Sequence, residues 1–220
     1  MPDYDIMMEQ KIAEDGMKKQ YRYFFYDFDG MLADTYPHLA RAMATTLLRM
    51  RGVEVDEREC FDQLKITLGG AYEYFKMTEE ERAVFRSLHE DEHFEPLPTL
   101  FPNVEEVLRR SLQKGCKNFI YTNRGDIVHK YLRLLGIDDC FTDYVLEATK
   151  PDPTKLADMI AAYGLPKEAC VVVGDRSIDV DAAYAAGVDG ILFDVDDRVK
   201  EHHGTYVIRE IAELFDFIPS

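Results

Sequence analysis

Apolar positions fall into two rhythms along the chain, and the change between them divides it. The aromatic run Tyr23-Phe24-Phe25-Tyr26 stops abruptly at Asp27-Phe28-Asp29-Gly30. Its aromatic enrichment and the glycine that bounds it predict a buried strand. Over residues 37–50 apolar positions recur at three and four, which predicts a helix with Gly52 as its stop. Residues 53–95 contain no convincing strand and read as helical pieces over 56–64, 72–76 and 78–93, with a break at Gly69-Gly70. Thr78 and Glu81 fit a capping box at the start of the last piece. The turn-rich residues 95–103 read as a return linker.

Beyond that linker the alternation becomes regular. Helices over 104–113, 126–135, 154–163, 179–186 and 210–217 interleave with strands over 118–122, 144–146, 170–173, 190–193 and 206–208. Strands alternating with helices of this length predict an α/β fold built on a doubly wound parallel sheet. The expected organisation is an N-terminal extension over 1–20, a core formed by 21–35 and 97–220, and an all-helical insert over 36–96.

Composition narrows the partners. The net charge of −16 repels a phosphate backbone and argues against nucleic acid. An anionic substrate must then be held by local cations or a metal. No stretch reaches the roughly 20 apolar residues of a membrane span, and the acidic start lacks the pattern of a signal peptide. Cys60, Cys116, Cys140 and Cys170 are widely spaced, with no metal-ligand pattern, and two sit in apolar runs. Buried thiols in a reducing, cytoplasmic setting are the expectation.

Polar residues collect where strands end. Residues two apart on an extended chain share a side, so Asp27 and Asp29 should converge at the C-terminal end of the first strand. In open α/β sheets that is the edge where ligands bind. A turn explains an isolated Asp-Phe-Asp-Gly equally well. Thr122-Asn123-Arg124 follows a second strand and offers a hydroxyl and backbone N–H groups to an anion. Lys150 precedes Pro151, which holds it extended, and its ammonium suits phosphate. Gly174-Asp175 ends a third apolar strand, and Asp179 stands near a helix start, where it also serves as a cap. Hard oxygen donors of this kind suit Mg²⁺ beside a substrate phosphate. Arg124 and Arg176 lie beside these motifs and are expected to pair with acids at the surface. His202-His203 reads as a solvated loop.

Taken together, Asp27-Phe28-Asp29-Gly30 with Leu32 and Asp34, then Thr122, Lys150-Pro151 and Gly174-Asp175 with Asp179, resemble the haloacid dehalogenase-like hydrolases. The resemblance is in particular to phosphoglycolate-phosphatase-like members, and it covers about residues 22–215. It implies a Rossmann-like core with an inserted helical cap domain. It also implies Asp27 as the nucleophile that takes the phosphoryl group and Asp29 as the acid and base. Thr122, Asn123 and Lys150 would hold the phosphoryl oxygens. Mg²⁺ would sit on Asp27, the Asp29 backbone carbonyl and Asp175, with Asp179 in support. Lys65 and the Gly69-Gly70 hinge would form a cap loop reaching over the site. Met31 departs from the family's usual Thr or Val, so the Asp29 loop is expected to pack differently.

The implied reaction is Mg²⁺-dependent hydrolysis of a small phosphorylated metabolite by a monomer or homodimer. Two alternatives remain beside it. A β-phosphoglucomutase-like transferase would carry a histidine at Leu39, whereas His38 lies one position early. A non-catalytic, Mg²⁺-binding phospho-receiver would keep a long-lived phosphate on Asp27.

Overall fold

The computed structural model describes residues 18–220, so the extension expected over 1–20 lies, but for its last three residues, outside the described residues. The aromatic run forms strand β1 (Tyr23–Tyr26), which lies inside a six-stranded sheet. Strands β4 (Lys117–Tyr121) and β6 (Cys170–Gly174) flank it on either side. Outside them run β5 (Asp143–Val145) and β7 (Asp189–Phe193), and β8 (Tyr206–Ile208) closes the β7 edge. Every pairing in this sheet is parallel, as the alternating pattern predicts.

The strand period of two sorts the core into layers. Phe24 and Tyr26 of β1 join Val171 and Val173 of β6 in the cluster on one face, while Phe25 and Val172 join the other. The first face is covered by helices α5 (Val104–Gln113) and α6 (Ile127–Leu134) and a 3₁₀ helix over Ile211–Phe217. The second is covered by α7 (Thr154–Ala162) and α8 (Ser177–Ala186). On that face the rings of Phe25 and Phe119 stack at 4.7 Å.

Between β1 and α5 the chain leaves the sheet to build four helices with a core of their own. They are α1 (Tyr36–Arg51), α2 (Glu57–Ile66), α3 (Leu68–Tyr74) and α4 (Glu79–His89). Met43, Leu47, Cys60, Leu64, Ala71 and Phe85 pack together there. Gly52 ends α1 at φ 67°, and Thr78 with Glu81 forms the expected capping box on α4. Arg51 ties the unit together by pairing with Glu81 and donating to the carbonyls of Phe75 and Lys76.

Two expectations need correction. Gly69 and Gly70 do not break the chain; they lie in the first turn of α3, so no glycine hinge exists there. The break falls at Thr67, which is extended (φ −159°, ψ 150°) and whose hydroxyl accepts from the Gly70 N–H at 2.8 Å. A threonine N-cap offsets part of the low helix propensity of two glycines, and packing of Ala71 and Tyr72 into the helical core adds the rest. The return linker also carries structure. Its Thr99–Leu100 pairs antiparallel, as β3, with Ala33–Asp34, β2, just before α1. The two connections to the helical unit are thus zipped into one ribbon.

Candidate active site

The C-terminal ends of β1, β4 and β6, with the loop after β5, bring the acidic and basic residues together. The backbone N–H of Asp27 still follows the sheet, donating to Val173 at 2.8 Å, and its side chain turns into the space above. Behind Asp27 the chain folds tightly: Leu32 and Ala33 donate to the Phe28 carbonyl, and Gly30 donates to Ala33. Gly30 sits at φ +76°, and a Cβ there would lie 2.3 Å from Asp175 Oδ2. Only glycine lets the two loops approach this closely. Met31 is fully buried in the main core, so the departure from the family pattern is absorbed by packing.

Lys150 is the hub of the site. Its Nζ lies 2.8 Å from Asp27 Oδ1 and 2.6 Å from Asp179 Oδ1, and 4.6 Å from the centre of the Tyr121 ring. Lys150 and both carboxylates are buried. Burial pushes the Lys150 pKa down, but Asp179 and Asp27 outweigh it and raise it. Burial likewise drives Asp27 upward; Lys150 opposes and Asp179 assists, and the result is about 7. Asp175 is also raised, chiefly by burial, against the pull of Lys65 and Arg176.

Asp27, Asp175 and Asp179 each offer an oxygen within 4.8 Å of the others. Both Asp27 oxygens and Asp175 Oδ1 are buried with no hydrogen-bond donor, although Lys150 forms an ion pair with Asp27. Orphaned buried carboxylate oxygens facing one another are the environment a hard cation satisfies. Asp179 differs, since its second oxygen accepts the Arg176 N–H at 3.0 Å and caps α8. Both its oxygens are engaged, so it braces Lys150 and the start of the helix.

Asp29 points elsewhere. Arg124 grips it with two bonds, Nε to Oδ2 at 2.7 Å and Nη2 to Oδ1 at 2.8 Å, and the Thr35 hydroxyl adds a third at 2.6 Å. Burial alone would raise its pKa, but the charge and hydrogen bonds of Arg124 together with Thr35 lower it. Thr122 is buried at the end of β4, and its hydroxyl accepts the Arg124 N–H at 3.2 Å. Asn123 is exposed, and its side chain accepts the Lys150 N–H at 3.0 Å, steadying the lysine loop.

The residues underestimated from sequence are the arginines. Arg124 and Arg176 do not pair at the surface: their side chains are 10% and 16% exposed and face the acids of the site. Arg176 stands 3.9 Å from both Asp27 Oδ2 and Asp175 Oδ1. Each lies within two residues of a motif residue, and an excess of buried carboxylates demands nearby countercharge. Lys65 does reach the site, yet from the last turn of α2 and not from a loop; its Nζ lies 2.5 Å from Asp175 Oδ2. Tyr36 donates to the same oxygen at 3.3 Å. Gly69 is exposed, with open space on its Cβ side. His203 is not simply solvated, because it bonds Asp181 at 2.8 Å and stacks on Tyr184.

An open parallel sheet binds ligands at the carboxyl ends of its strands, and here buried carboxylates gather about a lysine at that edge. The family model described as haloacid dehalogenase-like hydrolase matches residues 24–193, and the chain belongs to that family. Among curated relatives, it is 24% identical to the phosphoglycolate phosphatase of Mannheimia succiniciproducens, over 92% of this chain and all of that one. It is 26% identical to the pyrophosphatase PpaX of Halalkalibacterium halodurans, over 88% of this chain and 94% of that one. A HAD-superfamily hydrolase, subfamily IA, variant 1, from Geobacter sulfurreducens PCA shares the fold. Its TM-score is 0.70 at 20% identity, covering 94% of this chain and 100% of the other.

Proposed function

We propose that the protein is a Mg²⁺-dependent phosphatase of small phosphate monoesters, phosphoglycolate-like or sugar phosphates, acting through an aspartyl phosphate on Asp27. The observation that carries this reading is the buried Asp27, set against Lys150 and beside Asp175, with oxygens that lack hydrogen-bond donors. Asp27, the Asp29 carbonyl and Asp175 would hold the Mg²⁺, which would neutralise charge on the transferring group. Similarity to the phosphoglycolate phosphatase and the pyrophosphatase supports the reaction class.

In the first step an Asp27 oxygen attacks phosphorus and the ester oxygen leaves, taking a proton from Asp29. In the second, Asp29 accepts a proton from water as that water attacks the aspartyl phosphate, releasing phosphate and restoring Asp27. Lys150 and Arg176 offset charge on the phosphoryl oxygens, and Thr122 with the following backbone N–H groups orients them. The Arg124 grip keeps Asp29 ionised before substrate arrives. Its role as acid therefore requires that grip to loosen when the ester binds.

His38 speaks against the transferase alternative. It is buried with its two ring nitrogens at 2.8 Å from the carbonyls of Pro96 and His89. A cytoplasmic setting, a monomer or homodimer, and no nucleic-acid or membrane partner belong to the same proposal. The acidic net charge, the four buried free cysteines and the lack of any described helix able to cross a membrane support it. Phosphate release from p-nitrophenyl phosphate and a panel of small esters tests it, run with Mg²⁺, with chelator, and with Asp27→Asn. Turnover that needs Mg²⁺ and disappears in Asp27→Asn is expected. A well-folded wild type that accumulates a stable aspartyl phosphate without releasing phosphate would favour the phospho-receiver instead.

A further inference from the structure

Among the described residues four cations serve the site, and one of them is not anchored in the sheet. Lys150, Arg124 and Arg176 follow strand ends of the core, whereas Lys65 comes from α2 in the helical unit. Lys65 lies 2.5 Å from Asp175 Oδ2 and 4.6 Å from the centre of the Tyr36 ring. It thereby takes up one oxygen of a carboxylate whose other oxygen is buried without a donor.

Charge decides what this contact means. Setting aside the closed pair of Asp29 and Arg124, the site holds three carboxylates, Asp27, Asp175 and Asp179. Facing them are three cations, Lys150, Arg176 and Lys65. These six charges match one for one, and Asp34, partly buried, adds a further carboxylate on the Lys65 side. A divalent cation seated on Asp27 and Asp175 would bring excess positive charge into a buried space, and a nearby like charge must then withdraw. Lys150 is fully enclosed between two carboxylates, and the Arg176 side chain, 16% exposed, lies between Asp27 and Asp175 with its Nε buried. Lys65 is 27% exposed, on a flexible stem and a separately packed helix. It is the cation that leaves.

We infer that Lys65 is a tethered counter-ion for Asp175, competing with the divalent cation so that metal binding and the seating of α2 over the site oppose each other. The inference rests on the proposed metal site. Coupling of this kind is reciprocal: metal loosens α2, and anything that loosens α2 favours metal. One turn before Lys65, Asp62 forms a second tie from α2 to the core, 3.5 Å from Arg198 in the loop after β7. Once released, the Lys65 ammonium hangs over the site and is available to an entering phosphate ester. Metal would thus bind before substrate, and the helical unit would sense its arrival.

The test is calorimetric titration of MgCl₂ into chelator-stripped full-length protein: wild type, Lys65→Met and Asp62→Asn. Hydrogen exchange over residues 57–74 is followed with and without Mg²⁺. Lys65→Met is expected to bind Mg²⁺ about tenfold more tightly than wild type, within the usual range of such couplings. Asp62→Asn, which removes a half-exposed ion pair and leaves the site untouched, is expected to bind it about two- to threefold more tightly. Mg²⁺ is expected to raise exchange over 57–74 in wild type and to leave it unchanged in Lys65→Met. Equal or weaker Mg²⁺ binding in both folded variants overturns the competition while leaving the phosphatase reading intact. Absence of Mg²⁺ binding in all three proteins, including folded wild type, overturns the metal site and the competition with it. If Lys65→Met fails to fold, the Asp62→Asn affinity and the wild-type exchange response decide the question.

Discussion

Asp27→Asn replaces the buried carboxylate by a neutral group of the same shape, and its effect on stability depends on pH. In the folded protein burial raises the Asp27 pKa from 3.8 to about 7. A carboxyl with a raised folded pKa stabilises the fold while protonated, and that contribution fades as pH climbs from the unfolded value through the folded one. The whole span is worth at most about 4 kcal/mol, at about 1.4 kcal/mol for each tenfold change in proton affinity. Between about pH 5.5 and about pH 8 the share lost is about 2 kcal/mol. Urea unfolding in chelator at those two pH values reads it directly. Wild type should lose about 2 kcal/mol more than Asp27→Asn over that interval, and the variant should be the more stable protein at the higher pH. Added Mg²⁺ should shrink the wild-type slope, because a cation on the carboxylate competes with the proton. Equal slopes for the two proteins would refute the reasoning, since the burial of Asp27 would then carry no linkage to folding.

Lys150→Met leaves Asp27 and Asp179 buried without their ammonium and should destabilise by about 3–5 kcal/mol near neutral pH. The loss should be smaller in acid, where Asp27 takes up a proton, and the same urea titrations show it. Phe25→Ala removes a ring stacked on Phe119 in a fully buried layer and should cost about 3–5 kcal/mol with the site chemistry unchanged. Gly69→Ala adds a methyl group in open space within α3 and should stabilise by about 0.5–1 kcal/mol. A thermal melt would register a rise in Tm of about 2 °C. Impaired turnover in that variant, despite the higher Tm, would return weight to a moving loop at this position.

The legible parts of this chain were those whose signal is local. Helix α5 begins and ends where its three-and-four spacing places it, and β1 spans the aromatic run, because each pattern answers to its own period. The acidic strand ends were also readable, since a carboxylate after a buried strand has few structural reasons to be there. What escaped was set by partners distant in sequence. Strand β3 is two residues in a proline-bounded stretch and exists only because Ala33–Asp34 lies beside it. The depth of Arg124 and Arg176 is equally unreadable, because the arginine carries no mark of burial. It is drawn inward by Asp29, Asp27 and Asp175, whose own positions depend on two different loops. At Gly69-Gly70 the local rule misled, since the preceding Thr67 cap and the packing of Ala71 and Tyr72 held the glycines in a helix.

The paired linkers of β2 and β3 have a consequence for how such a protein changes over time. They bring the two ends of the helical insertion side by side, so the sheet meets that whole segment as one short hairpin. Closing a longer loop costs only about 0.6 kcal/mol for each doubling of its length. Helices can therefore be added, lost or exchanged beyond the ribbon with little penalty to the sheet that houses Asp27. A lineage could diversify what it recognises by rewriting the hairpin's contents while the strand ends stay the same.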